Sequence, residues 1–174
     1  MIMQRELRLS GSGGQGLILA GMILAEAAVL DGKKAIQSQS YGPEARGGAS
    51  KAEVIISDDE IDFIKVQKCE MLLCLTQDAY DKYGKDYTKV LVVDENLSLK
   101  YSEPEKVLKL PILDTASNKL GKPMVANIVA LGAVNELLKL VSKESLLEAV
   151  LDRVPKGTED LNKKALESGY ELIR

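Results

Sequence analysis

Histidine is absent from the 174 residues. That absence removes the commonest general base, the serine-histidine triad and imidazole metal ligation together, which argues against hydrolase chemistry. Cysteine is scarce: Cys69 and Cys74, with four residues between them, cannot supply the four ligands of an iron-sulfur cluster or a structural zinc. Any redox centre this chain serves must be held by another polypeptide. Cys74 falls in the apolar run Glu70 to Leu75 and is expected as a small buried hydrophobe rather than half of a disulfide. A positive excess is also lacking, since 23 Lys and Arg face 26 Asp and Glu for a formal charge of -3. No global field draws the chain to nucleic acid or to an anionic membrane, although local basic spots are allowed. Long apolar runs are missing too. Gly16 to Leu30 is shorter than the ~20 residues of a membrane crossing and contains Glu26, and Glu6 spoils any signal-peptide pattern at the start. The expectation is a cytoplasmic protein in which this stretch is a buried helix.

What is present fits one domain, residues 1–174. A chain with 45% hydrophobic and 28% charged residues lies in the globular range, and at this length it buries about 70% of its unfolded surface without staples. Glu6 to Ser10, with Leu7 and Leu9 on one face, predicts a leading strand that stops at Gly11. Gly14 to Leu30 is helical and apolar nearly all round, so it needs cover on more than one side. Lys33 to Gln39 completes a β-α-β opening, and Lys51 to Ser57 reads as a third strand returning from the loop that starts at Ser40. Asp58 to Lys68 is connection. Met71 to Leu75 and Val90 to Val93 are continuous apolar runs, as in strands covered on both faces, with a short helix or turn near Asp78 to Tyr83 and one more strand at Leu108 to Ile112.

The last third turns helical. Pro123 opens a helix whose face runs through Met124, Ile128, Leu131, Val134 or Asn135, and Leu138 to about Leu140. Ser142 caps a helix to Leu151, and Thr158 caps a last one to about Ser168. There is no repeat or dividing linker. The predicted architecture is α/β, a three-layer Rossmann-like domain with a mostly parallel sheet and a helical C-terminal cover.

Two glycine-rich loops carry the candidate chemistry. Gly11, Gly13 and Gly16 have G-x-G-x-x-G spacing between a strand and a helix, where the free N-H groups of the helix start meet an anion. The first glycine is expected to allow a tight turn, the second a close diphosphate, the third close packing of strand and helix. The bland alternative is a turn that only packs. Ordinary NAD binding is disfavoured, because the second strand ends Gln37-Ser38-Gln39-Ser40-Tyr41 with no carboxylate for the ribose until Glu44. A P-loop is excluded by the missing lysine and hydroxyl residue. The second loop, Ser40 to Ser50, begins at the carboxyl end of that strand and is expected to face the first. Its Arg46, followed by Gly47 and Gly48, can fork onto phosphate oxygens with Lys51 nearby, or be a solvated arginine in a plain connection.

Taken together, Gly11 to Gly16 and, some 25 residues on, Tyr41-Gly42-Pro43-Glu44-Ala45-Arg46-Gly47-Gly48 resemble the gamma subunit of 2-oxoacid:ferredoxin oxidoreductases. The resemblance runs on through Glu53 to Ser57, Glu60-Ile61-Asp62, Asn127, Gly132-Ala133, Asn162, Ala165 and Gly169, and it is most like the 2-oxoglutarate branch. It implies a subunit that is not catalytic alone and that helps to enclose coenzyme A, while thiamine diphosphate, magnesium and iron-sulfur clusters sit in alpha, beta and delta partners or in ferredoxin. The lack of a Gly-Asp-Gly thiamine motif agrees with that division. Carried over by position, Gly11, Ser12, Gly13, Gly14, Gln15 and Gly16 would touch coenzyme A. Arg46, Gly47 and Gly48 would border its phosphates, and Asn127 and Asn162 would add polar contacts. Asn127 can equally be helix-start polarity and Asn162 a surface helix position. Fused single-chain pyruvate enzymes have two lysines where Glu44 and Ala45 stand, so Arg46, Lys33 or Lys51 would have to take over that pairing. The competing readings are an autonomous Rossmann-like nucleotide-binding protein and a purely architectural subunit.

Overall fold

The computed structural model describes residues 3–40, 48–100 and 103–174. Their order is β1 (Gln4–Ser12), α1 (Leu17–Leu30), β2 (Lys34–Gln39), β3 (Ala49–Ser57), β4 (Met71–Cys74), α2 (Gln77–Tyr83), β5 (Val90–Asp94), β6 (Val107–Leu110), α3 (Ile112–Asp114), α4 (Ala126–Leu138), α5 (Lys143–Arg153) and α6 (Glu159–Ile173). The strands form one sheet in the order β2-β3-β1-β4-β5-β6. β1 pairs parallel with β4, β4 with β5 and β5 with β6, whereas β3 is antiparallel to both β1 and β2. β3 therefore runs against five strands that share a direction, and the expected mostly parallel α/β sheet is what forms. The link from β2 to β3 is too short to hold a crossover helix, so the chain returns antiparallel. β3 then occupies the place beside β1.

Alternation sorts the sheet's two faces. Leu7, Leu9, Val54, Ile56, Met71, Leu73 and Val92 face a core completed by α1, α4, α5 and α6. Leu72, Cys74, Leu91 and Val93 face Ala79 and Tyr80 of α2 on the other side. Each fully buried leucine contributes about 1.5–3 kcal/mol relative to exposure. The three layers are thus unequal, four long helices against one short one. Both thiols are free and buried, and burial pushes each up to about 12, so Cys69 and Cys74 act as apolar filling.

The cover of α1 holds except at its last turn, where Val29 and Leu30 are exposed. α4 and α6 meet backbone to backbone: a Cβ on Gly132 would collide with the Leu166 carbonyl, and one on Gly169 with the Val129 carbonyl. Several boundaries differ from the sequence expectation. α1 begins at Leu17 rather than Gly14, because Gly16 is left-handed at φ 71 and blocks an earlier start. Ile112 opens α3 instead of ending β6, since Pro111 breaks the strand and Asp94 Oδ2 accepts the Leu113 amide at 2.8 Å. α4 stops at Leu138, where buried Asn135 clamps the chain by accepting the Leu140 and Val141 amides at 3.1 and 3.0 Å. Ser142 caps α5 as expected, accepting the Ser145 amide at 3.1 Å. Thr158 precedes α6 but its hydroxyl donates to the Pro155 carbonyl, so it makes no cap bond, and the helix continues to Ile173.

Candidate functional site

The shared strand direction places the carboxyl ends of β1, β2, β4, β5 and β6 at one sheet edge, together with the amino end of β3. At that edge β1 runs out into the glycine turn. Gly11 pairs with Ser50 and Ser12 with Ala49, so Gly48, just ahead of β3, enters beside the turn. Ser40 marks the other side of the second loop: its amide donates to the Lys51 carbonyl at 3.2 Å and its hydroxyl accepts the Lys51 amide at 3.3 Å. Both ends of the Ser40–Gly48 loop therefore sit at the turn's edge. Arg46 and Gly47 lie outside the described residues, as do Tyr41 to Ala45.

The turn itself is held by two side-chain hydrogen bonds, one accepted by Gln15 and one donated by Asn127. Gln15 folds back so that its Oε1 accepts the Ser12 amide at 2.8 Å, while the Gln15 amide donates to the Ser12 carbonyl at 3.2 Å. A Cβ on Gly11 would strike that carboxamide oxygen, so Gly11 is required by the fold-back of Gln15 rather than by its own φ. Positive φ falls on the third glycine of the motif, Gly16, not the first. The Gly16 carbonyl accepts from Ala20 of α1 at 3.0 Å and from Asn127 Nδ2 at 3.1 Å. Gly13 and Gly14 are exposed, and among the described residues a Cβ on Gly14 would meet nothing within 4 Å.

Among the described residues, no side chain caps the first-turn amides of α1. The helix has no acidic residue in its first turn either, unlike α2 and α5, which Thr76 and Ser142 cap. An α-helix has four such amides lacking internal partners, and they carry the positive end of the dipole. The 14-residue α1 thus points an unneutralised N-terminus at the exposed glycines, an arrangement suited to a diphosphate or another anion.

The other expected contacts separate. Asn127, 5% exposed, gives its Nδ2 to Gly16 and accepts the Ile128 amide with Oδ1 at 2.9 Å. It ties the start of α4 to the start of α1. Asn162 is buried rather than at a surface position, and its Nδ2 donates to the Thr158 carbonyl at 2.9 Å, one turn back in α6. Lys33 does not reach the turn: it precedes β2, at the opposite sheet edge, and donates to the Leu140 carbonyl at 3.0 Å. Lys51 stands at the right edge, but its ammonium lies 5.6 Å from the Tyr83 ring and 3.8 Å from Glu53, on the α2 side of the sheet.

Beneath Lys51 is a buried ion pair that the sequence reading missed. Arg8 Nε donates to Glu53 Oε2 at 2.8 Å, Nη2 lies 2.6 Å from the same oxygen, and Nη1 meets Asp86. The available signal was Arg8 between Leu7 and Leu9, with Glu53 beside the apolar Val54 to Ile56 of β3. Asp94 was missed as well: at the carboxyl end of β5 it is fully buried and accepts from Asn96 and Leu113, a structural use of both oxygens. Among the described residues no group of three or more Cys, Asp or Glu is arranged to hold a metal, and no helix is long and apolar enough to cross a membrane.

Residues 6–172 match the family model described as pyruvate ferredoxin/flavodoxin oxidoreductase. The chain is 54% identical to the 2-oxoglutarate synthase subunit KorC of Methanocaldococcus jannaschii over 178 residues, 99% of this chain and 95% of that protein. Its structure superposes on the gamma subunit of a keto/oxoacid ferredoxin oxidoreductase from Geobacter sulfurreducens with a TM-score of 0.87 and 52% identity, covering 98% of this chain and 97% of the other. The fold also matches part of a 2-oxoglutarate:ferredoxin oxidoreductase from Magnetococcus marinus, solved with 2-oxoglutarate, coenzyme A and succinyl-CoA bound. There the TM-score is 0.85 at 22% identity, with 98% of this chain and 31% of that one covered.

Proposed function

The chain belongs to the pyruvate ferredoxin/flavodoxin oxidoreductase family, and from that premise we propose that it is the gamma subunit of a cytoplasmic 2-oxoglutarate:ferredoxin oxidoreductase, where it helps to hold coenzyme A. The overall reaction joins a 2-oxoacid, coenzyme A and oxidised ferredoxin to give acyl-CoA, carbon dioxide and reduced ferredoxin. The 54% identity to a 2-oxoglutarate synthase subunit supports this substrate. An iron-sulfur cluster does not fit this chain, whose two cysteines are buried on the α2 side of the sheet, and the sequence has no Gly-Asp-Gly thiamine motif; both groups belong to sister subunits.

The observation that carries the reading is the uncapped start of α1 behind the exposed Gly13 and Gly14. A diphosphate there is met by backbone amides and the helix dipole. Ser12 and Gln15 supply polar atoms at the rim, Arg46 to Gly48 border the phosphates, and Asn127 holds the turn in place through Gly16. The architectural alternative has one observation in its favour, the Ser12 amide already engaged by Gln15.

Kinetics of the purified complex separate the two. Arg46→Ala should raise KM for coenzyme A well above its effect on KM for 2-oxoglutarate, because the lost interaction is with one substrate only. Equal effects on both, or none, would favour the architectural subunit. Preference for pyruvate over 2-oxoglutarate in the same assay would overturn the substrate assignment.

A further inference from the structure

Resting on the reading of this chain as one subunit of a larger assembly, we propose that the groove between α1 and α5 seats a basic amphipathic helix of a sister subunit. The groove has a volume of about 670 Å³ and a floor of Leu30, Leu147 and Leu151. Leu30 is 44% exposed at the end of a helix whose other turns are covered, while its neighbour Val29 faces a different groove beside β2. Apolar side chains gathered in an open groove mark a contact site more often than scattered ones do.

The rim specifies the partner's charge. Glu144, Glu148 and Asp152 lie four residues apart along α5 and form one exposed stripe beside that floor. Carboxylates at this spacing repel one another, and Asp152 stands in the last turn, where the helix dipole disfavours an anion. Lys163 borders the adjoining groove with Glu144 but makes no salt bridge to it among the described residues, and two other nearby cations are engaged elsewhere. Arg153 Nε donates to Glu26 at 2.8 Å, while Lys143 lies 3.1 Å from Glu136 and 4.3 Å from the Tyr170 ring centroid. Among the described residues none of the three carboxylates has a salt bridge. Glu144, in the first turn, suits the helix dipole, so the repulsion within the stripe and the poor placement of Asp152 are what a cationic partner would relieve.

Its geometry describes that complement. Eight residues of α5 rise about 12 Å, two turns of a facing helix. Leu147 and Leu151, one turn apart, ask for apolar side chains at i and i+4, flanked by Lys or Arg opposite the stripe. A second copy of this chain is a poor occupant, because a twofold contact would set the acidic stripe against itself.

The test uses the complex co-expressed with its sister subunits. The triple variant E144K/E148K/D152K should bind them at least about tenfold more weakly than wild type, and wild-type association should weaken in about 0.5 M salt. Circular dichroism and melting of the isolated chain check that the variant folds. If it does not, amide hydrogen exchange of residues 143–153 in the wild-type chain replaces it, with greater protection expected in the complex than alone. Assembly indifferent to the charge reversal, unchanged exchange protection, or self-association of the isolated chain through this face would each overturn the groove proposal. A wild-type chain that joins no sister subunit would instead overturn the functional reading on which it rests.

Discussion

Gln15 and Ser12 close the glycine turn on itself: the carboxamide oxygen accepts the Ser12 amide at 2.8 Å, leaving Gln15 Nε2 as a donor with no partner among the described residues. The side chain thereby both braces the turn and presents a neutral hydrogen-bond donor at its rim. Removing it takes away one hydrogen bond of about 0.5–1.5 kcal/mol, a factor of about 2–12 in binding. Gln15→Ala is expected to raise KM for coenzyme A by that factor and to leave KM for the 2-oxoacid within about twofold. Gln15→Glu keeps the acceptor for Ser12 but replaces the donor with a charge that repels phosphate. Steady-state kinetics should therefore rank it below Gln15→Ala, and the reverse ranking would show that Gln15 only braces.

Gly16 and Asn127 form the second brace. At φ 71 a side chain on residue 16 is strained, and its Cβ would lie 2.6 Å from Asn127 Nδ2. Gly16→Ala should cost about 1–2 kcal/mol for the left-handed backbone alone, with the clash in addition. Asn127→Ala should lose the bond to the Gly16 carbonyl and expose the first turn of α1 to fraying. In the double variant the clash is gone, so its loss should be smaller than the two single losses added. Urea unfolding of the four proteins measures this, and strict additivity would mean that the two residues do not sense each other.

The contrast between these braces and the motif shows what the sequence can and cannot say. Leu7 and Leu9 followed by the glycines placed β1, the turn and α1 in the right order, because alternation and glycine spacing are local signals, although β1 runs on to Ser12 and α1 waits until Leu17. Ser142 was equally legible as a cap, whereas Thr158, in the same kind of position, turned its hydroxyl to Pro155. The role of Asn127 was hidden, since only the packed fold brings it beside a residue 111 positions earlier. The placement of β3 between β1 and β2 was hidden for the same reason: strand pairing is decided by contacts distant in sequence. Lys33 illustrates the reverse error, a charge near in sequence to the loop and at the wrong end of its strand.

Arg8 and Glu53 are buried side by side on adjacent strands, 6% and 8% exposed. Removing one partner of such a pair costs about 3–5 kcal/mol, because the other is left charged without compensation. The two directions should differ here. Glu53→Leu leaves Arg8 with Asp86, while Arg8→Leu leaves Glu53, among the described residues, with Lys51 at 3.8 Å. Arg8→Leu is expected to be the more damaging, and the double change to leucine should recover most of the loss. Chemical denaturation of the three variants is the measurement, and a double variant as unstable as Arg8→Leu alone would contradict the account.

Four carboxylates held below their ordinary value shape the acid limb of stability, one of them the exposed Glu171, which Lys119 lowers by a 2.9 Å contact. Burial pushes the Glu70 carboxyl up, but hydrogen bonds from Arg5 Nε and Nη2 at 2.6–3.0 Å and the nearby Lys89 bring it below its ordinary value. Asp31 is likewise raised by burial and then lowered further by Ser145, Ser142 and Lys33. Glu136, bonded by Lys139, Lys143 and Arg174, is held down at about 2. Carboxylates in an unfolded chain titrate near pH 4, so each of these groups stabilises the fold fully above that value and loses its share as pH falls through its lower folded value. The melting temperature should accordingly stay level, as far as these groups act, above about pH 5 and fall between about pH 5 and 2. Glu136→Gln should flatten the lowest part of that fall. Salt should flatten it too in the wild type, since the Lys139, Lys143 and Arg174 side chains around Glu136 are open to solvent and their attraction is screened. Arg5→Met should act differently, raising the Glu70 titration toward the ordinary range and shifting the start of the fall to higher pH. Melting curves from pH 2 to 7 at two ionic strengths distinguish these outcomes, and an acid limb unchanged in both variants would mean that other carboxylates set it.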